Sequence, residues 1–91
     1  MSTARVRVEV TVSARRGVNR MPEKAAAAVV EFCFGPLADN PYRVGRPLTR
    51  DLAGYHSARR GGYRVIYRID EAANRVYAVR IEHRSDVYRR R

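Results

Sequence analysis

Two histidines, His56 and His83, two tyrosines, Tyr63 and Tyr88, and the arginines Arg59, Arg60, Arg64, Arg80, Arg84 and Arg89 crowd the C-terminal half of this 91-residue chain. Together these side chains suit one reaction, attack of an RNA 2′-hydroxyl on the adjacent phosphate. That reaction needs a group to take the hydroxyl proton, a group to protonate the departing 5′-oxygen, and cations to stabilise the charge that builds on phosphorus. Histidine fits the two proton transfers, with an unperturbed pKa near 6.5, and arginine fits the third task. Each histidine taken singly is more often a surface or hydrogen-bonded residue. No metal-ligand spacing, glycine-rich phosphate loop or Ser-His-Asp set is present, so the expected chemistry needs neither metal nor cofactor.

The whole composition leans the same way. Nineteen Lys and Arg stand against nine Asp and Glu, a formal net charge of +10. Such a surface attracts polyanions. All of the cations but Lys24 are arginine, whose planar fork pairs with phosphate and whose face stacks on bases. A GC-rich genome also favours arginine over lysine, but that does not account for the net charge. An acidic protein partner fits the charge as well as RNA does.

The elements that must position these groups are legible in outline. Ninety-one residues suffice for a single domain spanning 1–91 and fall short of two. The run Arg5 to Val12 alternates, placing Val6, Val8, Val10 and Val12 on one face of a half-buried strand. Ser13 is a candidate cap for a short helix reaching Met21, weakened by Gly17. Pro22 then opens a helix over about Glu23 to Phe34, which Gly35-Pro36 ends. Its apolar stretch from Ala25 to Phe34 suits a helix trapped between a sheet and another element, with Cys33 in the core. Residues 36–50 read as a loop. A strand is expected from Leu52 to Gly62, followed by strands Tyr63 to Asp70 and Arg75 to His83 joined by the turn Glu71-Ala72-Ala73-Asn74. The order implies an α+β fold: a small, largely antiparallel sheet with N-terminal helices packed on one face.

If Asp70 opposes Asn74, the final hairpin pairs Arg64 with Arg80, Ile66 with Ala78 and Arg68 with Val76. The core face then carries Val65, Tyr67, Ile69, Tyr77, Val79 and Ile81. Opposed arginines repel unless an anion sits between them, which makes Arg64 and Arg80 a candidate phosphate cradle. The plainer alternative is a solvated polar face with its arginines splayed into water.

Over nearly its whole length the chain resembles the RelE/ParE toxin superfamily, and is most similar to its RelE branch. The resemblance rests on Gly-Tyr-Arg-Val-Ile-Tyr at 62–67 and His-Arg-Ser-Asp-Val-Tyr-Arg at 83–89, at the separation the family shows. It implies a RelE/ParE-like fold and a type II toxin–antitoxin toxin that cuts messenger RNA in the ribosomal A site. Arg64 matches the family arginine on the scissile phosphate, and Tyr88 the tyrosine that stacks on or activates the substrate. His83 and Arg84 fall where the family places a phosphate stabiliser or general acid. His56 stands where RelE itself has lysines and is a candidate base. Arg59, Arg60, Arg80 and Arg89 are expected to bind RNA.

The implied partners are a cognate acidic RelB-like antitoxin, in a toxin–antitoxin heterotetramer, together with the ribosome and its messenger RNA. A lone cysteine, an N-terminus without a continuous apolar run, and no 18-residue apolar stretch point to the cytoplasm and away from membranes. Two other functions fit: a ParE-like toxin that inhibits DNA gyrase by binding it, and a basic RNA-binding module without catalysis.

Overall fold

A computed structural model describes residues 5–83. In chain order these form β1 (Arg7–Val10), α1 (Val12–Asn19), α2 (Glu23–Phe34), a one-turn helix α3 (Pro36–Asp39), the two-residue β2 (Arg46–Pro47), a 3-10 turn (Arg50–Leu52), β3 (Tyr55–Arg60), β4 (Tyr63–Asp70) and β5 (Arg75–His83). The five strands make one sheet in the order β1-β5-β4-β3-β2. Only the β1–β5 pairing is parallel. The α+β architecture with a largely antiparallel sheet is therefore the one observed.

The helices cover one face of that sheet. Ala14, Val29, Phe32, Cys33 and Leu37 from the helices meet Val8, Ala58, Val65, Tyr67, Val76, Ala78 and Ile81 from the strands in a buried cluster. Burial pushes the Cys33 thiol up to about 11 and the Tyr67 phenol up to about 12, because each loses the water that would solvate its anion. The Tyr67 hydroxyl donates to the Pro41 carbonyl at 2.7 Å, so its one donor is satisfied.

Several boundaries differ from the sequence reading, each for a local reason. Thr11, rather than Ser13, caps α1, its hydroxyl oxygen accepting from the Ala14 amide. That cap begins the helix at Val12, which leaves the strand and is 63% exposed. Gly17 is required in α1: a Cβ there would lie 2.2 Å from the Ile81 carbonyl oxygen, so its helix penalty is offset by close approach to β5. On α2, Val30 and Phe34 are 42% and 49% exposed, so only one side of that helix is covered. Residues 36–50 hold α3 and β2, and the third strand starts at Tyr55, three residues past Leu52.

The largest correction concerns the β4–β5 register. Asp70 opposes Arg75, and a bulge next to Ile66 and Tyr67 inserts one extra residue on the β5 side. Arg64 consequently opposes Glu82, and Arg80 opposes Ile66. Tyr77 moves to the face away from the helices, where the Arg68 guanidinium lies 4.6 Å from its ring centre. Val79, at the bulge, stands outside the core cluster. Thr11 pins this irregularity: its amide donates to the Ala78 carbonyl and its hydroxyl to the Val79 carbonyl.

Candidate functional site

Strand alternation sorts the chemistry by face. Gly61, at φ +61°, and Gly62 close β3 onto β4 in a two-residue turn, the left-handed geometry that glycine adopts most readily. That turn fixes two rows of neighbours on the face opposite the helices. One row runs Arg59, Arg64, Glu82 across β3, β4 and β5. The next runs Arg46, Ser57, Ile66, Arg80 across β2, β3, β4 and β5.

Arg64 sits at the junction. Its Nη2 donates to Glu82 Oε2 at 3.1 Å, while Arg80 Nε lies 3.7 Å from Glu82 Oε1. The Arg64 side chain is 32% exposed and Glu82 16%. The two arginines therefore do share an anion, and it is the Glu82 carboxylate. The buried Arg64 Nε has no acceptor among the described residues, an orphaned donor of a kind that is rare in folded proteins.

Away from Glu82, Arg64 forms part of the wall of a cleft of about 630 Å³. Arg43, Arg46 and Arg59 also line it, with Ser57 and Leu48. Gly45 lets the 41–47 segment pass close to the sheet edge, since a Cβ there would lie 2.4 Å from the Tyr67 hydroxyl and 2.7 Å from the Ser57 carbonyl oxygen. None of Arg43, Arg46 and Arg59 is ion-paired among the described residues. Unneutralised cations around a concave surface focus potential and draw in an anion.

The other sequence-expected residues distribute differently. His56 opposes Tyr67 and lies against it, ring centres 5.4 Å apart at 21°, on the helix side of the sheet. Arg60 shares that side, its guanidinium 5.6 Å from the Phe32 ring centre. His83 opposes Tyr63 and meets its ring edge-on at 4.9 Å, again on the side away from Arg64. So Arg59, Arg64 and Arg80 share a face, while His56, Arg60 and His83 are not brought to it. Arg84, Tyr88 and Arg89 lie outside the described residues. Arg43, Arg46 and Glu82 were not singled out from sequence. The signal for Glu82 was its strand parity once the bulge is counted; Arg43 and Arg46 sat in a stretch with no periodicity to place them.

Comparison with known proteins agrees with this architecture. Residues 8–88 match the family described as ParE toxin of type II toxin-antitoxin system. Toxin RelE of Mycobacterium tuberculosis is 56% identical over 82 residues, covering 90% of this chain and 84% of that protein. Toxin RelG of the same organism is 53% identical over 83 residues, covering 91% and 95%. The crystal structure of the toxin–antitoxin complex RelBE2 from M. tuberculosis contains a chain that is 48% identical, with a TM-score of 0.87 and coverage of 93% and 98%. This chain belongs to the ParE toxin family of type II toxin–antitoxin systems.

Proposed function

We propose that this toxin is a ribosome-dependent, metal-independent endoribonuclease that cleaves messenger RNA in the A site and so stops translation. The observation that carries the reading is Arg64: a partly buried cation with an orphaned Nε, in the wall of an arginine-lined cleft. A phosphodiester is the ligand that such a group accepts best, because the guanidinium fork matches two phosphate oxygens. Arg43, Arg46 and Arg59 then hold the backbone on either side with Arg80, and the family resemblance adds Arg84, Tyr88 and Arg89 to the residues expected to act on the RNA.

The test uses purified ribosomes programmed with a defined message and mapped 5′ ends. Cleavage inside the A-site codon, with the same RNA left intact when free, is the expected result. The family's ParE name supports one competing reading, inhibition of DNA gyrase by binding. Growth arrest with every message intact and supercoiling blocked would establish that reading instead.

The partner of the proposed system is an acidic, RelB-like antitoxin, as the relative crystallised in a toxin–antitoxin complex supports, and the assembly is a heterotetramer in the cytoplasm. Charge steers its encounter, so association slows as salt rises, while apolar contacts hold the complex. An association rate indifferent to ionic strength would contradict this.

A further inference from the structure

The face that carries Arg64 offers few groups able to take a proton. His56 and His83 project from the other side of the sheet, and arginine stays protonated at any pH the protein meets. Three carboxylates of the described residues share the face. Glu9 is engaged by Arg75 at 3.3 Å, and Asp70 accepts from the Ala73 amide in the turn, both at the far end of β4. Glu82 stands beside Arg64.

We infer that Glu82 is the proton acceptor of the cleavage reaction, taking the proton of the 2′-hydroxyl while Arg64 and Arg80 hold the phosphate. The inference rests on the endoribonuclease reading above. As the 2′-oxygen bonds to phosphorus, its proton passes to a Glu82 oxygen. The bond from phosphorus to the 5′-oxygen breaks, and that oxygen takes a proton from solvent. The products are a 2′,3′-cyclic phosphate and a 5′-hydroxyl, and Glu82 returns its proton to water.

The charges favour this assignment. Before reaction two arginines face one carboxylate and one phosphodiester, a balanced set. In the transition state phosphorus gathers a second negative charge, and at the same moment Glu82 becomes neutral. Both guanidinium groups are then freed from the carboxylate to bind the phosphorane. The tie between Arg64 and Glu82 thus weakens as the attraction of phosphate strengthens, which is binding that improves in the transition state. A histidine base would leave a new cation behind and would not release the arginines.

The experiment is single-turnover cleavage of a ribosome-bound message with toxin in excess, reading both rate and end groups. Glu82→Gln keeps an acceptor for Arg64 Nη2 but takes no proton. Its rate is expected to fall by roughly 100- to 10,000-fold, with affinity for the uncleaved ribosomal complex changed by less than about threefold, under about 0.7 kcal/mol. Among the described residues the charged groups facing Glu82 are Arg64 from β4 and Arg80 from its own strand, and neither gives up a proton under assay conditions. The parent therefore slows as pH falls, and the residual rate of Glu82→Gln does not. Glu82→Asp, a shorter carboxylate, keeps the pH dependence at reduced rate, and it decides the matter should the Gln variant fail to fold. A Gln variant as fast as the parent, or faster, overturns the assignment and makes Glu82 a mere competitor for phosphate. An Asp variant with a flat pH profile overturns it too. A parent that cleaves nothing removes the endoribonuclease reading itself, whereas a cleaving parent matched by Glu82→Gln removes only the role of Glu82.

Discussion

Arg59 and Arg64 are direct partners across β3 and β4, and of the two only Arg64 meets a carboxylate among the described residues. Like charges so placed destabilise a sheet by roughly 0.2–1 kcal/mol. A surface kept for folding alone would not retain the arrangement. Arg59→Ala should accordingly raise the melting temperature by about one to several degrees, given ~4–8 °C per kcal/mol for a domain of this size. The same substitution should weaken binding to single-stranded RNA and shrink its salt dependence by about 0.7 in the log-log slope. Calorimetry and a salt titration of binding check the two halves separately.

Arg64→Ala should nearly abolish cleavage on translating ribosomes. Loss of one cation that acts on developing charge costs on the order of 100- to 1,000-fold in rate. Ribosome affinity should drop only modestly, since one phosphate contact among many is removed. A variant as toxic to cells as its parent would show that the arginine has no part in the reaction.

His56→Ala should separate packing from chemistry. Its ring lies on Tyr67 and meets Tyr42 edge-on at 6.3 Å, contacts of a kind contributing about 0.5–1.5 kcal/mol each beyond area burial. Stability in urea should therefore decline by an amount of that order. The single-turnover rate of folded His56→Ala protein should match the parent, and a drop of 100-fold would return the histidine to the list of catalysts.

Stability should fall at alkaline pH, and its sign follows from the two buried acids. Tyr67 is raised from 10.0 to about 12 and Cys33 from 9.0 to about 11. Between those values the unfolded chain has lost the protons that the folded chain retains, so unfolding is favoured as pH rises. The stabilisation is complete below about pH 9, declines above it, and is gone past about pH 12. Tyr67 alone corresponds to roughly 2–3 kcal/mol at 1.36 kcal/mol per unit. Urea midpoints measured from neutral to strongly alkaline pH should trace that decline, and Cys33→Ala should remove its lower-pH part.

How much of this was legible in the sequence depended on which residues carried the signal. Pro22 and Gly35 bracket α2 at the expected ends, and the alternation of Val65, Tyr67 and Ile69 with Arg64 and Arg68 gave the inner face of β4. The end of β5 could not be read because its bulge has no glycine or proline to announce it; it is held by Thr11, 67 residues upstream of Ala78 in the chain. The turn, which opposes Asp70 to Arg75 where Asn74 was expected, and the bulge each shift the ladder by one residue, and together they replace the expected Arg64–Arg80 pair with Arg64–Glu82. The side of His56 was open to reading, since it shares parity with the apolar Ala58 rather than with Ser57 and Arg59. Arg43 and Arg46 were beyond reach, because they enter the cleft through a loop whose path is set by Gly45 against Tyr67.

That bulge makes insertion and deletion unequal along the last hairpin. The turn at residues 71–74 lies at the opposite end of the strands from Arg64, so extra length there can loop into solvent and leave the pairing unchanged. Removing a single residue between Ala78 and Ile81 would close the bulge and leave Ile81 opposite Val65 and Glu82 opposite Arg64. Adding one there, with the bulge kept at one extra residue, would instead bring Ile81 opposite Arg64 and turn Glu82 toward the helices. A homologue shorter by one residue at this point would thus present the same carboxylate on a straighter strand. A homologue longer by one, with no substitution at all, would lose it from that face.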